Sequence, residues 1–260
     1  MTDWNPILYS KFEAERMRAA RDLLTRIPLE KASLIYDLGC GPGNSLELLL
    51  RRFPNARIVG LDTSDAMLAH ARVRAPRAKF LKQDISDWTP EDRPDLIFAN
   101  AALQFLPEHD RLFPRLMSYL APGGALAAQM PNTAHESSHA LMRMVAAEGP
   151  WSSRLAPIAK TQPLIAGYES YYDWLGPAAS RIDIWMTTYV HPLDGPQSIA
   201  DWFAGSALQP FLERLDDEER CEFLARYRGG LKDAYPVQPD GRTLFAYPRL
   251  FIVAIKAAAA

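Results

Sequence analysis

The seven residues Asp37-Leu38-Gly39-Cys40-Gly41-Pro42-Gly43 close an apolar run and carry the strongest chemical signal in the chain. Glycines at this density let the backbone turn with positive φ and let a ligand approach where a Cβ would collide. The spacing is Gly-x-Gly-x-Gly, with an acid two residues ahead of the first glycine. It departs from the Gly-x-Gly-x-x-Gly of dinucleotide sites, because Asn44 stands in the third glycine's place. Three more polar residues end later apolar runs: Asp62, Asp84 and Asn100. A carboxylate at Asp62 can accept hydrogen bonds from both hydroxyls of a ribose. One at Asp84 can accept from an exocyclic adenine amine. Taken singly, the glycine turn is equally a tight strand-to-helix connection, and each acid is equally a helix cap or a solvated loop residue. Together they describe one ligand-binding edge.

Such an edge needs strands that end side by side. The patterning predicts a helix over 10–27, ended by Pro28, and a strand over 33–38 running into the glycine turn. A helix with Leu46, Leu49, Leu50 and Phe53 at helical spacing follows, then a strand over 57–61 ending at Asp62, and a helix over 64–74 with Ser64 as its cap. Further strands are predicted at 79–83 ending at Asp84, at 94–99 ending at Asn100, and at 125–130, with a helix over 108–120. Strands alternating with helices at this spacing mean a parallel sheet covered on both faces. In such a sheet the carboxyl ends of the strands line one crevice. After Pro131 the pattern changes: helices over 136–148 and 168–175, a long strand over 182–190, two or three helices over 196–234 broken at Pro210, and a last strand over 250–255. The acid-rich run 216–220 reads as a helix start. The chain is expected to be one domain over 1–260, with a cofactor-binding half at 31–131 and a substrate half at 132–260 that carries a helical insertion at 194–236.

Composition narrows the function. Lys plus Arg is 29 and Asp plus Glu is 31, so the formal net charge is −2. That balance argues against a nucleic-acid partner. The two cysteines, Cys40 and Cys221, form no Cys-x-x-Cys pair and imply no disulfide framework, which makes a reducing cytoplasm the expected compartment. No signal peptide is recognisable, and no apolar run approaches the ~20 residues of a membrane helix. One motif is a decoy. His135-Glu136-Ser137-Ser138-His139 matches the H-E-x-x-H zinc pattern. Its neighbours are polar, however, and no third-ligand signature follows, so no metal site is expected.

On these residues the chain resembles the class I S-adenosylmethionine-dependent methyltransferases, whose first motif is Asp-Leu-Gly-Cys-Gly-Pro-Gly and whose second and third motifs place acids at Asp62 and Asp84. The resemblance implies a Rossmann-like α/β fold, a doubly wound, mostly parallel seven-stranded sheet with a helical substrate cap. It implies S-adenosylmethionine as cofactor and S-adenosylhomocysteine as product. It places Asp37, Gly39, Gly41 and Asn100 at the methionine end, Asp62 at the ribose, and Asp84 with Ile85 at the adenine. Over nearly its whole length the chain is further similar to the trans-aconitate methyltransferase family. The segments Trp4-Asn5-Pro6 with Tyr9 and Phe12, 96–101, 129–132, 183–185 with 187–189, and 248–254 carry that likeness. It implies esterification of one carboxylate of a small anionic tricarboxylate. A carboxylate is already ionised at neutral pH, so no catalytic acid or base is expected. The two spare carboxylates call for cationic or hydroxyl donors, and His139, Arg143, Tyr172, Tyr189 and Arg226 are the candidates. The alternatives are a methyltransferase of the same fold acting on another small acid or hydroxyl compound, a nicotinamide-dependent dehydrogenase, against which Asn44 argues, and a binding protein without turnover.

Overall fold

The computed structural model describes residues 11–160 and 164–258. Trp4, Asn5, Pro6 and Tyr9 lie outside the described residues. In chain order the helices are Glu13–Thr25 (α1), Asn44–Arg52 (α2), Asp65–Arg74 (α3), His109–Tyr119 (α4), Ser137–Ala147 (α5), Ser152–Lys160 (α6), Tyr168–Leu175 (α7), Gln197–Ala204 (α8), Gln209–Leu212 (α9) and Asp217–Ala234 (α10). The strands are Leu34–Leu38 (β1), Arg57–Asp62 (β2), Lys79–Lys82 (β3), Leu96–Asn100 (β4), Ala125–Pro131 (β5), Ala179–Leu193 (β6) and Thr243–Lys256 (β7). They form one seven-stranded sheet in the order β3-β2-β1-β4-β5-β7-β6. The first five strands are parallel to their neighbours, and β7 returns antiparallel against β5. The order reverses direction between β1 and β4, the switch point at which open α/β sheets hold ligands.

The chain divides into two compact units. The sheet unit comprises Ala14–Pro131, Ile165–Thr187 and Arg249–Ala260. Every residue of β1 is buried, as expected of a strand covered on both faces. Leu34, Tyr36 and Leu38 point into a core shared with Ile97, Leu126 and Ile252 and closed by Phe113 and Leu116 of α4 and Tyr171 of α7. By strand alternation, Ile35 and Asp37 face the other way. Register extends that second face across the sheet. Asp37 pairs with Gly60 and Phe98, Asn100 with Gln129, and Gln129 with Phe251.

The second unit comprises Met1–Glu13, Asn132–Leu164 and Thr188–Pro248 and has its own aromatic core, with Trp151, Trp202, Phe203, Phe223 and Phe245. The acid-rich run does start a helix. Asp216 caps α10 by accepting from the Glu219 N–H at 2.9 Å, and Glu219 accepts in return from the Asp216 N–H. Three details depart from the sequence expectation. Helix α6 was hidden in the sequence by Pro157, which sits inside it. Pro210 does not break a helix but occupies the first turn of α9, where its missing N–H costs nothing. Strand β7 starts at Thr243, not 250, because its outer residues pair beyond the purely apolar run. Among the described residues, no helix is long and apolar enough to cross a membrane.

Candidate active site

The glycine turn joins β1 to α2. Gly39, Gly41 and Gly43 all have positive φ, at 70°, 54° and 93°. The reasons differ. A Cβ on Gly39 would lie 2.4 Å from Ala102 Cβ, so packing as well as conformation demands glycine. A Cβ on Gly41 would meet nothing within 4 Å, so the backbone there borders open space. The Cys40 N–H donates to Leu61 O at 2.8 Å and stitches the turn to β2. The amino end of α2, with its partial positive charge, opens on the same turn.

Three polar side chains stand at neighbouring strand ends on one face. Asp37 is fully buried. Its Oδ2 accepts from Ser45 Oγ at 2.5 Å, while its Oδ1 meets no partner among the described residues. Burial pushes its pKa up to about 7; the Ser45 hydrogen bond opposes the shift and the nearby Asp62 charge adds to it. Asp62, at the end of β2, accepts the Gly41 N–H at Oδ2, 2.9 Å, and the Ser64 N–H at Oδ1, 3.0 Å. Asn100 ends β4 with its Oδ1 buried and unpartnered among the described residues. The next residue, Ala101, has φ 57°, a conformation costing ~1–3 kcal/mol. It is held by its N–H on Gln129 O at 2.9 Å and by Gln104 Nε2 on its own carbonyl at 2.8 Å.

The adenine-side expectation shifts slightly. Strand β3 stops at Lys82, so Asp84 lies in the loop beyond it. There Asp84 Oδ1 accepts from the Ser86 N–H and Oγ, each at 2.8 Å, which fixes the carboxylate within the turn. Arg115 of α4 donates to Ile85 O at 2.8 Å and also to Ser86 O. Ser45, Ala102, Arg115 and Gln129 were not found from sequence. None follows a periodic spacing from the motif; the register and the loop crossing bring them in.

The expected substrate contacts fall in different places. Tyr172 lies on α7 of the sheet unit, exposed. His139, Arg143, Tyr189 and Arg226 belong to the helical unit. His139 and Arg143 share α5. His139 Nε2 lies 3.2 Å from Thr133 Oγ1, and Arg143 donates to Ala134 O at 2.7 Å. Loss of hydration, with the Arg143 charge acting in the same direction, pulls the His139 pKa down to about 4. Tyr189 is buried in β6 and stacks on His191 at 6.1 Å. Arg226 pairs with Glu222 and lies over the Trp151 ring at 5.3 Å, beyond the carboxyl end of α5. The H-E-x-x-H pattern straddles a helix start. Glu136 is the cap residue and His135 precedes it, so the two imidazoles share no helical face. Among the described residues, no group of three or more His, Cys, Asp or Glu could hold a metal ion.

Known proteins resemble this chain in sequence and in fold. The profile of a family described as "Methyltransferase domain" matches residues 35–124. A trans-aconitate 2-methyltransferase of Variovorax paradoxus is 51% identical over 259 residues, 99% of this chain and 100% of the relative. One of Methylobacterium nodulans is 53% identical over 254 residues, 98% of each. A solved Haemonchus contortus phosphoethanolamine N-methyltransferase 2 in complex with S-adenosyl-L-methionine superposes with TM-score 0.59 at 16% identity, covering 97% of this chain and 56% of that one. A putative methyltransferase of Bacillus halodurans gives TM-score 0.59 at 14% identity, covering 93% and 100%. At those identities the solved structures speak for the fold alone.

Proposed function

The chain belongs to the trans-aconitate 2-methyltransferases, a family of S-adenosylmethionine-dependent methyltransferases, and from that premise we propose that it esterifies a carboxylate of trans-aconitate, releasing S-adenosylhomocysteine. The observation that carries this reading is identity near one half sustained over essentially the whole length of both chains.

The residues at the strand ends fit the cofactor. Asp37 and Asn100 each hold a buried oxygen that lacks a partner among the described residues, and the open space at Gly41 lets a ligand lie against the backbone. Asp37, Gly39, Gly41 and Asn100 would hold the methionine end. Asp62 would hold the ribose, and Asp84 with Ile85 the adenine. When bound, S-adenosylmethionine supplies a methyl group on a cationic sulfur. The protein's task is then positioning. The substrate carboxylate ionises near pH 4 and needs no general base. Holding reacting groups in line is worth ~7–11 kcal/mol, and excluding water keeps the carboxylate oxygen from being solvated. We place this work in the cytoplasm, a reading supported by the free thiols of Cys40 and Cys221.

The test is a labelled methyl-donor assay against trans-aconitate, cis-aconitate, citrate and a monocarboxylate, followed by mild alkali. Label transferred to trans-aconitate and released by alkali is the expected result. Alkali-resistant label, or a preferred monocarboxylate, would instead favour a methyltransferase of another small acid or hydroxyl compound.

A further inference from the structure

The chain leaves β4 through a strained turn. Ala101 has φ 57°, in the left-handed region, without being a glycine. Such a conformation persists only where its surroundings over-determine it. On the strand side, the Ala101 N–H donates to Gln129 O at 2.9 Å. On the loop side, Gln104 Nε2 donates to Ala101 O at 2.8 Å. Gln104 sits in a short 3-10 turn, Leu103–Phe105, which follows directly. That turn is itself fixed from outside, by the hydrogen bond between His109 Nε2 and Leu103 O at 2.9 Å.

The Gln104 side chain is costly to bury. It is only 8% exposed. A carbonyl only accepts, so the amide turns its Nε2 to Ala101 O and its Oε1 away. That Oε1 is buried without a partner among the described residues. An unsatisfied buried acceptor costs at least as much as one neutral hydrogen bond contributes. An apolar side chain of the same size would avoid the cost, so what the amide adds here is its grip on Ala101 rather than net stability. The place of the turn indicates what the grip serves. Asn100, just before Ala101, ends β4 with a buried oxygen that has no partner among the described residues. Ala102, just after it, lies against the glycine turn, where a Cβ on Gly39 would stand 2.4 Å from Ala102 Cβ. Relaxing φ at Ala101 would redirect the chain between these two residues.

We propose that Gln104 is a positioning residue for cofactor binding. By holding Ala101 in the left-handed conformation, it keeps Asn100 and Ala102 where the methionine end of the cofactor meets them. This rests on the cofactor reading proposed above. Gln104 acts through the backbone of Ala101. Strain of this class corresponds to a population shift of roughly 5- to 150-fold, and a site loses apparent affinity in proportion to its competent fraction.

The experiment measures S-adenosylhomocysteine affinity by calorimetry in the unaltered protein, in Gln104→Met, which keeps the volume and removes the donor, in Ala101→Gly, and in the double variant. Urea unfolding of each establishes that it is folded under the titration conditions. Gln104→Met should bind about 5-fold more weakly, or worse. Ala101→Gly should bind within about 3-fold of the unaltered protein, because glycine takes positive φ freely. The double variant should bind within about 3-fold of Ala101→Gly, since a turn without strain needs no grip. A merely structural role would lower the unfolding midpoint and leave the affinities alone. Unchanged affinity in Gln104→Met, or a loss that Ala101→Gly does not repair, overturns the positioning role and leaves the cofactor reading standing. An unaltered protein that binds no S-adenosylhomocysteine overturns the cofactor reading, and the positioning role with it. Should Gln104→Met fail to fold, the double variant decides the question: near-normal affinity supports the positioning role, and weak binding or a failure to fold there also overturns it.

Discussion

Gly41 donates its backbone N–H to Asp62 Oδ2 at 2.9 Å, so the glycine turn after β1 and the acid that ends β2 are one hydrogen-bonded unit. The same carboxylate receives the Ser64 N–H through its other oxygen, which ties in the start of α3. Asp62 therefore shapes the loop before it meets any ligand, and in the cofactor reading proposed above its effect on binding would have two sources: a direct acceptor for the ribose and a fixed turn.

Asp62→Ala should weaken S-adenosylhomocysteine binding by at least ~10-fold, since hydrogen bonds to a charged group are worth about 1.5–3 kcal/mol. Asp62→Asn keeps one acceptor and should lose less. Titration calorimetry reads both, and an unchanged dissociation constant for the alanine variant would remove Asp62 from the site.

The glycines should separate by mechanism. Gly41→Ala meets no atom and should cost only the left-handed conformation, about 1–2 kcal/mol. Gly39→Ala adds a collision with Ala102 Cβ and should cost more. Adding Ala102→Gly should recover part of the difference. Urea unfolding of the four proteins tests this, and equal losses at Gly39 and Gly41 would dismiss the steric contribution.

Asp37 should leave a pH signature. Burial, the larger cause, raises its pKa from 3.8 to about 7, with the Asp62 charge adding to the shift. The folded protein therefore holds a proton that the unfolded chain gives up. That contribution is full below about pH 4 and is lost as pH rises through about 7. Asp37→Asn, which cannot ionise, should gain stability over the unaltered protein across this window, and the gap should level off above it. Cofactor affinity should run the other way in the unaltered protein, rising toward pH 7 as the carboxylate forms to meet the methionine ammonium. Stability and affinity differences that are flat between pH 4 and 8 would exclude Asp37 from both effects.

Tyr171 and His109 form a buried chain. Tyr171 Oη lies 2.6 Å from His109 Nδ1, His109 Nε2 lies 2.9 Å from Leu103 O, and the Ala166 N–H donates to Tyr171 Oη at 3.3 Å. Since Leu103 O can only accept, Nε2 carries the proton and Tyr171 donates to Nδ1. Tyr171→Phe leaves the buried His109 Nδ1 without its donor and the half-buried Ala166 N–H without its acceptor, and should destabilise by about 1–3 kcal/mol in thermal or urea unfolding. Burial also lowers the His109 pKa below 6.5. Its contribution to stability is therefore full above about 6.5 and lost as pH falls below that value. An imidazole titration by NMR at or above the ordinary value would contradict the buried neutral tautomer.

Turnover should survive chelation. His135 and His139 share no helical face, and an ionised carboxylate needs no metal to become a nucleophile. Activity abolished by EDTA and restored by zinc would assign the two histidines a role that their placement here does not.

The sequence alone determined the scaffold. Periodicity located β1 to β5 and their helices because each is a continuous run with one repeating signal, and the glycine turn was legible because positive φ leaves a compositional mark. Asp37, Asp62 and Asn100 were readable because a parallel sheet forces strand ends to one edge. Tertiary structure decided the rest. Ser45 on Asp37, Arg115 on the loop after Asp84, and Arg249 on Gln129 join residues 8, 30 and 120 positions apart. No local pattern encodes those distances. The antiparallel return of β7 alone brings Arg249 to the edge, and only its register with β5 sets the face on which it stands. A shift of one residue would turn that guanidinium to the opposite side. The place of Arg249 was therefore illegible from spacing, because a pairing register is a property of two strands together and is written in neither one.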